Sequence, residues 1–383
     1  MPLDTIYLDN NATTRVADEV IAAMTPYYRE HYGNAHAIHA LGRRAHDAVE
    51  DARASVAKLI GCDPGEVVFT SCGTEGNALT IRGLVDAKPQ RRRVVTTAVE
   101  HPSVMALLRA IEAAGEIELA VAPVGSDGEL DLDAMRDLVD ARTFLVSVML
   151  AQNETGVILP VADVAKIAHD AGALLHADAV QAAAKIPIDA RALGADFVTI
   201  SGHKFHAPKG VGALMVRRGL KLTPLWYGGG QELGLRSGTE PVPSLAGLGV
   251  AAEMGRRALA DYGRVTALRD RLETFLRDAS PDISFNGATQ PRLGNTANVS
   301  FHGLMADTVV RALDEAGVCV SAGAACHSGR VEPTAVMKAM NKPPEAALGA
   351  VRFSLSRYTT EAEIDRAVGA VLDAVSGKAR ISL

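Results

Sequence analysis

The sequence predicts an α/β fold: a large domain built on a mostly parallel seven-stranded sheet, followed by a smaller C-terminal α/β domain. Three observations predict it. Short apolar, β-branched runs recur at 67–69, 94–96, 117–121, 144–149, 173–176, 197–200 and 213–216. Most are separated by helix-periodic segments, at 75–85, 102–114, 132–139 and 161–171, and such alternation implies a parallel sheet covered on both faces. Beyond the Gly228-Gly229-Gly230 break the composition shifts and a second, shorter alternation begins.

The chain opens on Tyr7-Leu8-Asp9-Asn10-Asn11-Ala12-Thr13-Thr14, a short strand running into a polar turn whose side chains can bond neighbouring backbone. Ala45, Ala48, Val49, Ala52, Val56, Leu59 and Ile60 fall at helical spacing, and Gly61 closes that helix. After the seven runs, 243–278 reads as one long helix rich in Ala, Leu and Arg. Strand 297–301, helix 306–316, short strand 318–320, a Gly/Ala loop, a helix, strand 351–355 and a last helix complete the chain. The expected division is 1–15 as an N-terminal segment packing on the small domain, 16–248 as the large domain and 249–383 as the small domain.

Composition narrows the function classes. A formal net charge of -6, with no Lys/Arg block longer than Arg91-Arg92-Arg93, argues against a nucleic-acid surface and for small-molecule work. No apolar run approaches the roughly 20 residues that span a bilayer, and Met1-Pro2-Leu3-Asp4 lacks a charged-then-apolar signal pattern, so a cytoplasmic, non-membrane protein is expected. Four cysteines without a C-x-x-C pair are too few for a disulfide framework. Cys62, Cys72 and Cys319 read as quiet thiols.

Parallel sheets place their sites at the carboxyl ends of strands, so the residues just after each apolar run carry the chemistry. Asp178 ends one run and Lys204 follows another through Ser201-Gly202-His203. A lysine amine can form a Schiff base with pyridoxal phosphate (PLP), and a carboxylate facing the pyridine nitrogen keeps it protonated as an electron sink. Thr70-Ser71-Cys72-Gly73-Thr74-Glu75 leads into a helix and suits an anion, though on its own ordinary capping by Ser71 or Thr74 explains it slightly better. His101, in Glu100-His101-Pro102, can stack on a planar group, shuttle a proton or simply cap. Gln152-Asn153-Glu154-Thr155-Gly156 is a polar turn.

Together these segments resemble the class V, fold-type I PLP enzymes, and within them the cysteine desulfurases of the nitrogenase and iron-sulfur-cluster assembly type, nearly end to end. The resemblance is carried by the Tyr7 to Thr14 and Phe69 to Glu75 motifs, Glu100-His101-Pro102, Asn153-Glu154-Thr155-Gly156, Asp178-Ala179-Val180-Gln181, Ser201-Gly202-His203-Lys204, Arg236-Ser237-Gly238-Thr239-Glu240 and Arg352-Phe353-Ser354-Leu355-Ser356-Arg357. It implies that Lys204 holds PLP and then acts as base at the substrate Cα, and that Asp178 pairs with the ring nitrogen. Gln181 would bond the phenolic oxygen, and His101 would stack over the ring and relay protons. Gly73, Thr74, Ser201 and His203 would hold the phosphate end, joined by Thr239 from the other subunit of a homodimer with shared active sites. Arg352 and Asn153 would take the substrate carboxylate, with Asn11 also among the substrate contacts. No metal is expected.

Ser321-Ala322-Gly323-Ala324-Ala325-Cys326-His327-Ser328-Gly329 is a run of small residues around one thiol, read as a mobile loop. The family puts its sulfur-accepting nucleophile there. The implied reaction converts L-cysteine to L-alanine, leaving the sulfur on Cys326 as a persulfide for an acceptor protein such as an iron-sulfur scaffold. This chain departs from the family in Ala322 and Ala324, where serines are usual, and in His327, whose protonated ring would favour the Cys326 thiolate. His36 and His39 stand where the family has Pro and Ser nearby, which points to a reshaped substrate mouth; the tail ends at Arg380-Ile381-Ser382-Leu383, without a longer scaffold-docking extension. A selenocysteine lyase of the same fold, and a relay protein with a degenerate site, are the alternatives.

Overall fold

The computed structural model describes residues 5–87, 90–279, 282–322, 324–327 and 330–377, with the side chains of 323–331 and 377 outside that description. The expectations for Met1 to Asp4, for Gly323, Ser328 and Gly329, for the His327 ring and for the tail at 380–383 therefore fall outside the described residues.

The seven predicted strands form one sheet, in the spatial order Val67–Thr70, Gly212–Val216, Phe197–Ser201, Leu174–Asp178, Thr143–Met149, Arg93–Thr97, Glu118–Ala122. The pairings from Phe197–Ser201 to Glu118–Ala122 are all parallel. Gly212–Val216 is antiparallel to both of its neighbours, because the connection after Lys204 is too short for a crossover helix. All residues of Thr143–Met149 and Phe197–Ser201 are buried, which is why these strands read as continuous apolar runs rather than alternating ones.

Each face of the sheet has its own core. One is built with the helices Ala40–Ile60 and Val242–Ala258, the other with Gly73–Asp86 and Pro102–Ala113. A third core gathers Leu272, Phe301, Val309, Phe353 and Ile364 around the antiparallel sheet Ser321–Ala322, Ala350–Ser354, Thr296–Phe301, Ile283–Phe285. Ile6 and Leu8 belong to this third core, and Ile6–Tyr7 pairs in parallel with Val318–Cys319.

Three expectations change. The single helix at 243–278 is two, Val242–Ala258 and Tyr262–Ala279, separated by the 3-10 turn Leu259–Asp261. Gly249 lies inside the first of these, where an added Cβ would sit 2.7 Å from Ala52 Cα, so that helix is packed tightly on the large domain. We propose the domain division at the 3-10 turn rather than at Gly249. The segment around Cys326 is a β-hairpin rather than an irregular loop: Ala324–His327 pairs antiparallel with Arg330–Pro333, and Cys326 stands opposite Val331. Pairing gives the backbone amides and carbonyls of this small-chained stretch their partners.

Candidate active site

The strands that end at Asp178 and Ser201 are neighbours, with Asp178 in register with Thr199. Their carboxyl ends, and the 3-10 turn Gly202–Lys204 that follows, open on a cavity of about 240 Å³. Of the residues expected in the site, Lys204, Asp178, Gln181, His101, Gly73, Thr74, Ser201, His203 and Asn153 line it. Asp178 is buried; its Oδ2 accepts from Asn77 Nδ2 at 2.8 Å and its Oδ1 from the Val180 amide at 3.0 Å. Lys204 Nζ donates to the carbonyls of Asn11 at 2.7 Å and Ala12 at 2.8 Å. Burial and the Arg352 charge bring its pKa down to about 8, with Asp9 and Asp178 opposing. A larger fraction of this amine is therefore neutral and nucleophilic near pH 8 than for an ordinary lysine.

One end of the cavity suits an anion. Helix Gly73–Asp86 points its N-terminus there, and its capping residue, Cys72, makes no side-chain capping hydrogen bond. Ser201 Oγ is buried without a partner among the described residues. At Gly73 a Cβ would come within 2.6 Å of Val180 Cγ2, so the backbone approach to this corner requires glycine. His203 completes the corner; burial and three lysines, Lys204 first, push its pKa down to about 4, so it offers hydrogen bonds rather than charge. These features fit the phosphate end of the group anticipated from the sequence, and Asp178 fits its ring nitrogen. Thr239 does not join them: it is exposed and outside the cavity lining. Its segment is tied to the same helix, since Arg236 Nε donates to Glu75 Oε1 at 3.1 Å.

His101 both caps helix Pro102–Ala113 and faces the cavity. Its Nδ1 accepts from the Ser103 amide at 3.1 Å, which places the proton of the neutral ring on Nε2. Surrounding protein lowers the imidazole pKa, with Asp178 raising it and Lys204 lowering it. Beneath it Glu100 is buried, accepting from Thr97 Oγ1 at 2.7 Å and the Met149 amide at 2.9 Å through Oε1, while Oε2 has no partner among the described residues. Burial raises its pKa to about 8 against two hydrogen bonds that lower it. A carboxyl whose folded pKa exceeds its unfolded value stabilises the fold below the unfolded pKa, and that contribution is lost as pH rises toward 8. Glu100→Gln, which mimics the protonated form, is expected to be more stable than wild type at pH 8 by about 4 kcal/mol and equal to it below pH ~4. Urea unfolding at the two pH values measures this.

Arg352, expected to bind the substrate carboxylate, is outside the cavity lining. Arg352 is only 8% exposed and is already engaged: Nη2 pairs with Asp9 Oδ1 at 2.7 Å and Nη1 donates to the Asn153 carbonyl at 3.1 Å. Its Nε has no partner among the described residues. Asn11 corrects the sequence expectation. Its amide Nδ2 donates to Asn153 O and Thr296 Oγ1, and its Oδ1 accepts from Lys185 and Asn295, so the buried side chain has no valence left for substrate. It joins the N-terminal segment, the large domain and the small domain instead.

Of the cysteines, Cys62 is pushed up to about 12, mainly by burial, and Cys319 is raised by the same cause. Cys72, read as a quiet turn residue, lines the cavity. The Cys326 side chain falls outside the described residues, but its hairpin ends next to Thr334, whose Oγ1 donates to Glu154 Oε2 at 2.8 Å in the Gln152 to Gly156 turn. His36 Nε2 lies 2.7 Å from Glu240 Oε1, and His39 caps helix Ala40–Ile60, so both have structural partners. Sequence reasoning missed Asp9, Asn77, Glu100 and Lys185. Asn77 stands one helical turn beyond Thr74 on the same helix, a spacing that does not name Asp178 as its partner.

Comparison with known proteins shows the family. A family model for class V aminotransferases matches residues 6–367. A cysteine desulfurase of Trichormus variabilis is 46% identical over 364 residues, covering 95% of this chain and 91% of that protein. The cysteine desulfurase NifS of Azotobacter vinelandii is 45% identical over 365 residues, covering 95% and 90%. Among solved structures, a NifS-like protein superposes with a TM-score of 0.91 at 37% identity, covering 97% of this chain and all of that one, 100%. SspA in complex with cysteine superposes at 0.82 with 31% identity, covering 93% and 100%.

Proposed function

The chain belongs to the class V aminotransferase family, among its NifS-like cysteine desulfurases, and from that premise we propose that it converts L-cysteine to L-alanine and passes the sulfur to Cys326 as a persulfide. The observation that carries this reading is the pairing of Lys204 and Asp178 at adjacent strand ends around one cavity with an anion corner. Bound PLP would supply an electron sink for the carbanion at the substrate Cα.

The chain's own groups do the rest. Asp178, fixed by Asn77 and the Val180 amide, presents a carboxylate to a protonated ring nitrogen. Lys204 would anchor the group, and its lowered pKa would let the free amine take the substrate Cα proton as base. Arg352 is outside the cavity lining but bonded to the cavity residue Asn153, and it would take the substrate carboxylate by exchanging its Nη contacts with Asp9 and Asn153 for the substrate's oxygens. His101, lining the cavity with its Nδ1 held by the Ser103 amide, would face the bound group and offer its Nε2 proton there. The Cys326 thiolate then forms an S–S bond with the substrate sulfur as the Cβ–S bond breaks, and that bond's electron pair stays on the carbon that becomes the alanine methyl. Thr239, exposed and outside its own chain's cavity, is read as completing the phosphate corner of a second copy in a homodimer. An acceptor protein, such as an iron-sulfur scaffold, removes the persulfide sulfur. Among the described residues no helix is long and apolar enough to cross a membrane.

The test is direct. Purified protein should be yellow, absorbing near roughly 400 nm, and with L-cysteine and a reducing thiol it should form alanine and sulfide in equal amounts. A colourless protein that forms neither after PLP addition would reject the reading.

A further inference from the structure

We propose that Lys185 is a positioning residue for this site: by donating to Gln181 and Asn11 together, it fixes which edge of the Gln181 amide faces the cavity. The proposal rests on Lys204 being the cofactor lysine. Lys185 is 6% exposed. Its Nζ lies 2.8 Å from Gln181 Oε1 and 2.9 Å from Asn11 Oδ1. An ammonium has three donors and no acceptor, so both contacts select the amide oxygen over the amide nitrogen. Burial, Lys204 and Arg352 hold the Lys185 pKa well below its ordinary value; a neutral amine keeps two hydrogens for the two oxygens, and the Gln181 Nε2 bond to the Asn11 carbonyl keeps that nitrogen away from the amine lone pair.

The consequence for Gln181 follows from counting hydrogens. With Oε1 held by Lys185, Nε2 donates one hydrogen to the Asn11 carbonyl at 2.9 Å. The other is left for the cavity that Gln181 lines. A phenolic oxygen is the acceptor such a hydrogen suits. Without Lys185 only the Asn11 carbonyl opposes turning the amide over, which would present the Gln181 carbonyl to a phenolate and repel it. Asn11 is fixed by the same lysine: its Oδ1 also accepts from Asn295, and its backbone carbonyl receives Lys204 Nζ at 2.7 Å. Lys185 thus sets the orientation of two amides whose backbone or side chains touch the reacting lysine or the cavity.

The experiment follows the absorption band of the Lys204–cofactor bond against pH in the full-length, PLP-loaded protein. Donation to the phenolic oxygen and nearby positive charge both disfavour protonation of that bond. Lys185→Met should therefore raise the midpoint, by about one pH unit, while Lys185→Arg, which keeps the donors, should stay near wild type. The groups that face Lys204, namely Asp178, Asp9, Arg352, His203 and His101, are unchanged in these variants. If the effect runs through Gln181, Lys185→Met in a Gln181→Leu background should shift the midpoint by less than half as much. A midpoint unmoved by Lys185→Met, or a shift of half or more in the Gln181→Leu background, would overturn the proposal. If Lys185→Met does not fold, Lys185→Leu is read in the same way. A wild-type protein without the band refutes the cofactor reading itself, whereas a wild-type band with an unmoved midpoint in the variant refutes only this inference.

Discussion

Cys326→Ala should lower alanine formation from L-cysteine by at least about 10³-fold, while the cofactor band near roughly 400 nm and its response to added L-cysteine persist. The separation is expected because the hairpin Ala324–His327 and Arg330–Pro333 forms its own two-stranded sheet, apart from the strands that carry Lys204 and Asp178. Removing one sulfur from that hairpin leaves the cofactor corner untouched. The structure also supplies a competitor. Cys72 lines the cavity and caps the helix at its anion corner, so its thiol is close enough to be suspected of accepting the sulfur. Cys72→Ala should keep the rate within about threefold, since it removes a thiol at the anion corner that takes no part in a transfer to Cys326. If Cys72→Ala is the silent enzyme and Cys326→Ala the active one, the sulfur acceptor has been misassigned. If both keep cysteine turnover, the lyase alternative gains.

The parts of the fold that were legible in the sequence are those where burial writes a pattern. Thr143–Met149 and Phe197–Ser201 are covered on both faces, and continuous apolar runs recorded it. The break at Leu259–Asp261 left no mark, because Leu-Ala-Asp carries no residue that disfavours a helix strongly. The Cys326 hairpin was equally silent: alanines accept either a loop or a strand, and pairing with Arg330–Pro333 is what decides. In the site, Lys204 and Asp178 could be found because each closes an apolar run. Their supports could not. Asn77 meets Asp178 across 101 positions, and Lys185 meets Asn11 across 174, so neither contact has a local signature. Asn11 was placed in the right neighbourhood with the wrong task, since only the folded chain shows all its hydrogen-bonding capacity spent on protein.

Lys204→Ala is expected to be the most damaging single change, lowering cysteine turnover by about 10⁴-fold or more, because one amine serves both as the covalent anchor and as the base. The loss should be chemical rather than structural. Lys204 makes its two hydrogen bonds to carbonyls of Asn11 and Ala12, and Asn11 O keeps a second donor in Gln181 Nε2, so the segment stays tied down without it. Borohydride reduction of the PLP-loaded wild type should fix the cofactor on the peptide containing Lys204, and the variant should retain none. A direct pH test accompanies this. The apo protein should capture PLP faster as pH rises, with a midpoint near 8 set by the Lys204 amine, because only the neutral amine attacks the aldehyde and its pKa is brought down to about 8. An ordinary exposed lysine would place that midpoint near ~10.4. Arg352 helps to lower the Lys204 pKa, so Arg352→Met should move the midpoint upward, toward the ordinary value. A midpoint that stays put in Arg352→Met would mean that burial alone sets the amine, and a wild-type midpoint near ~10 would mean that Lys204 is not the nucleophile.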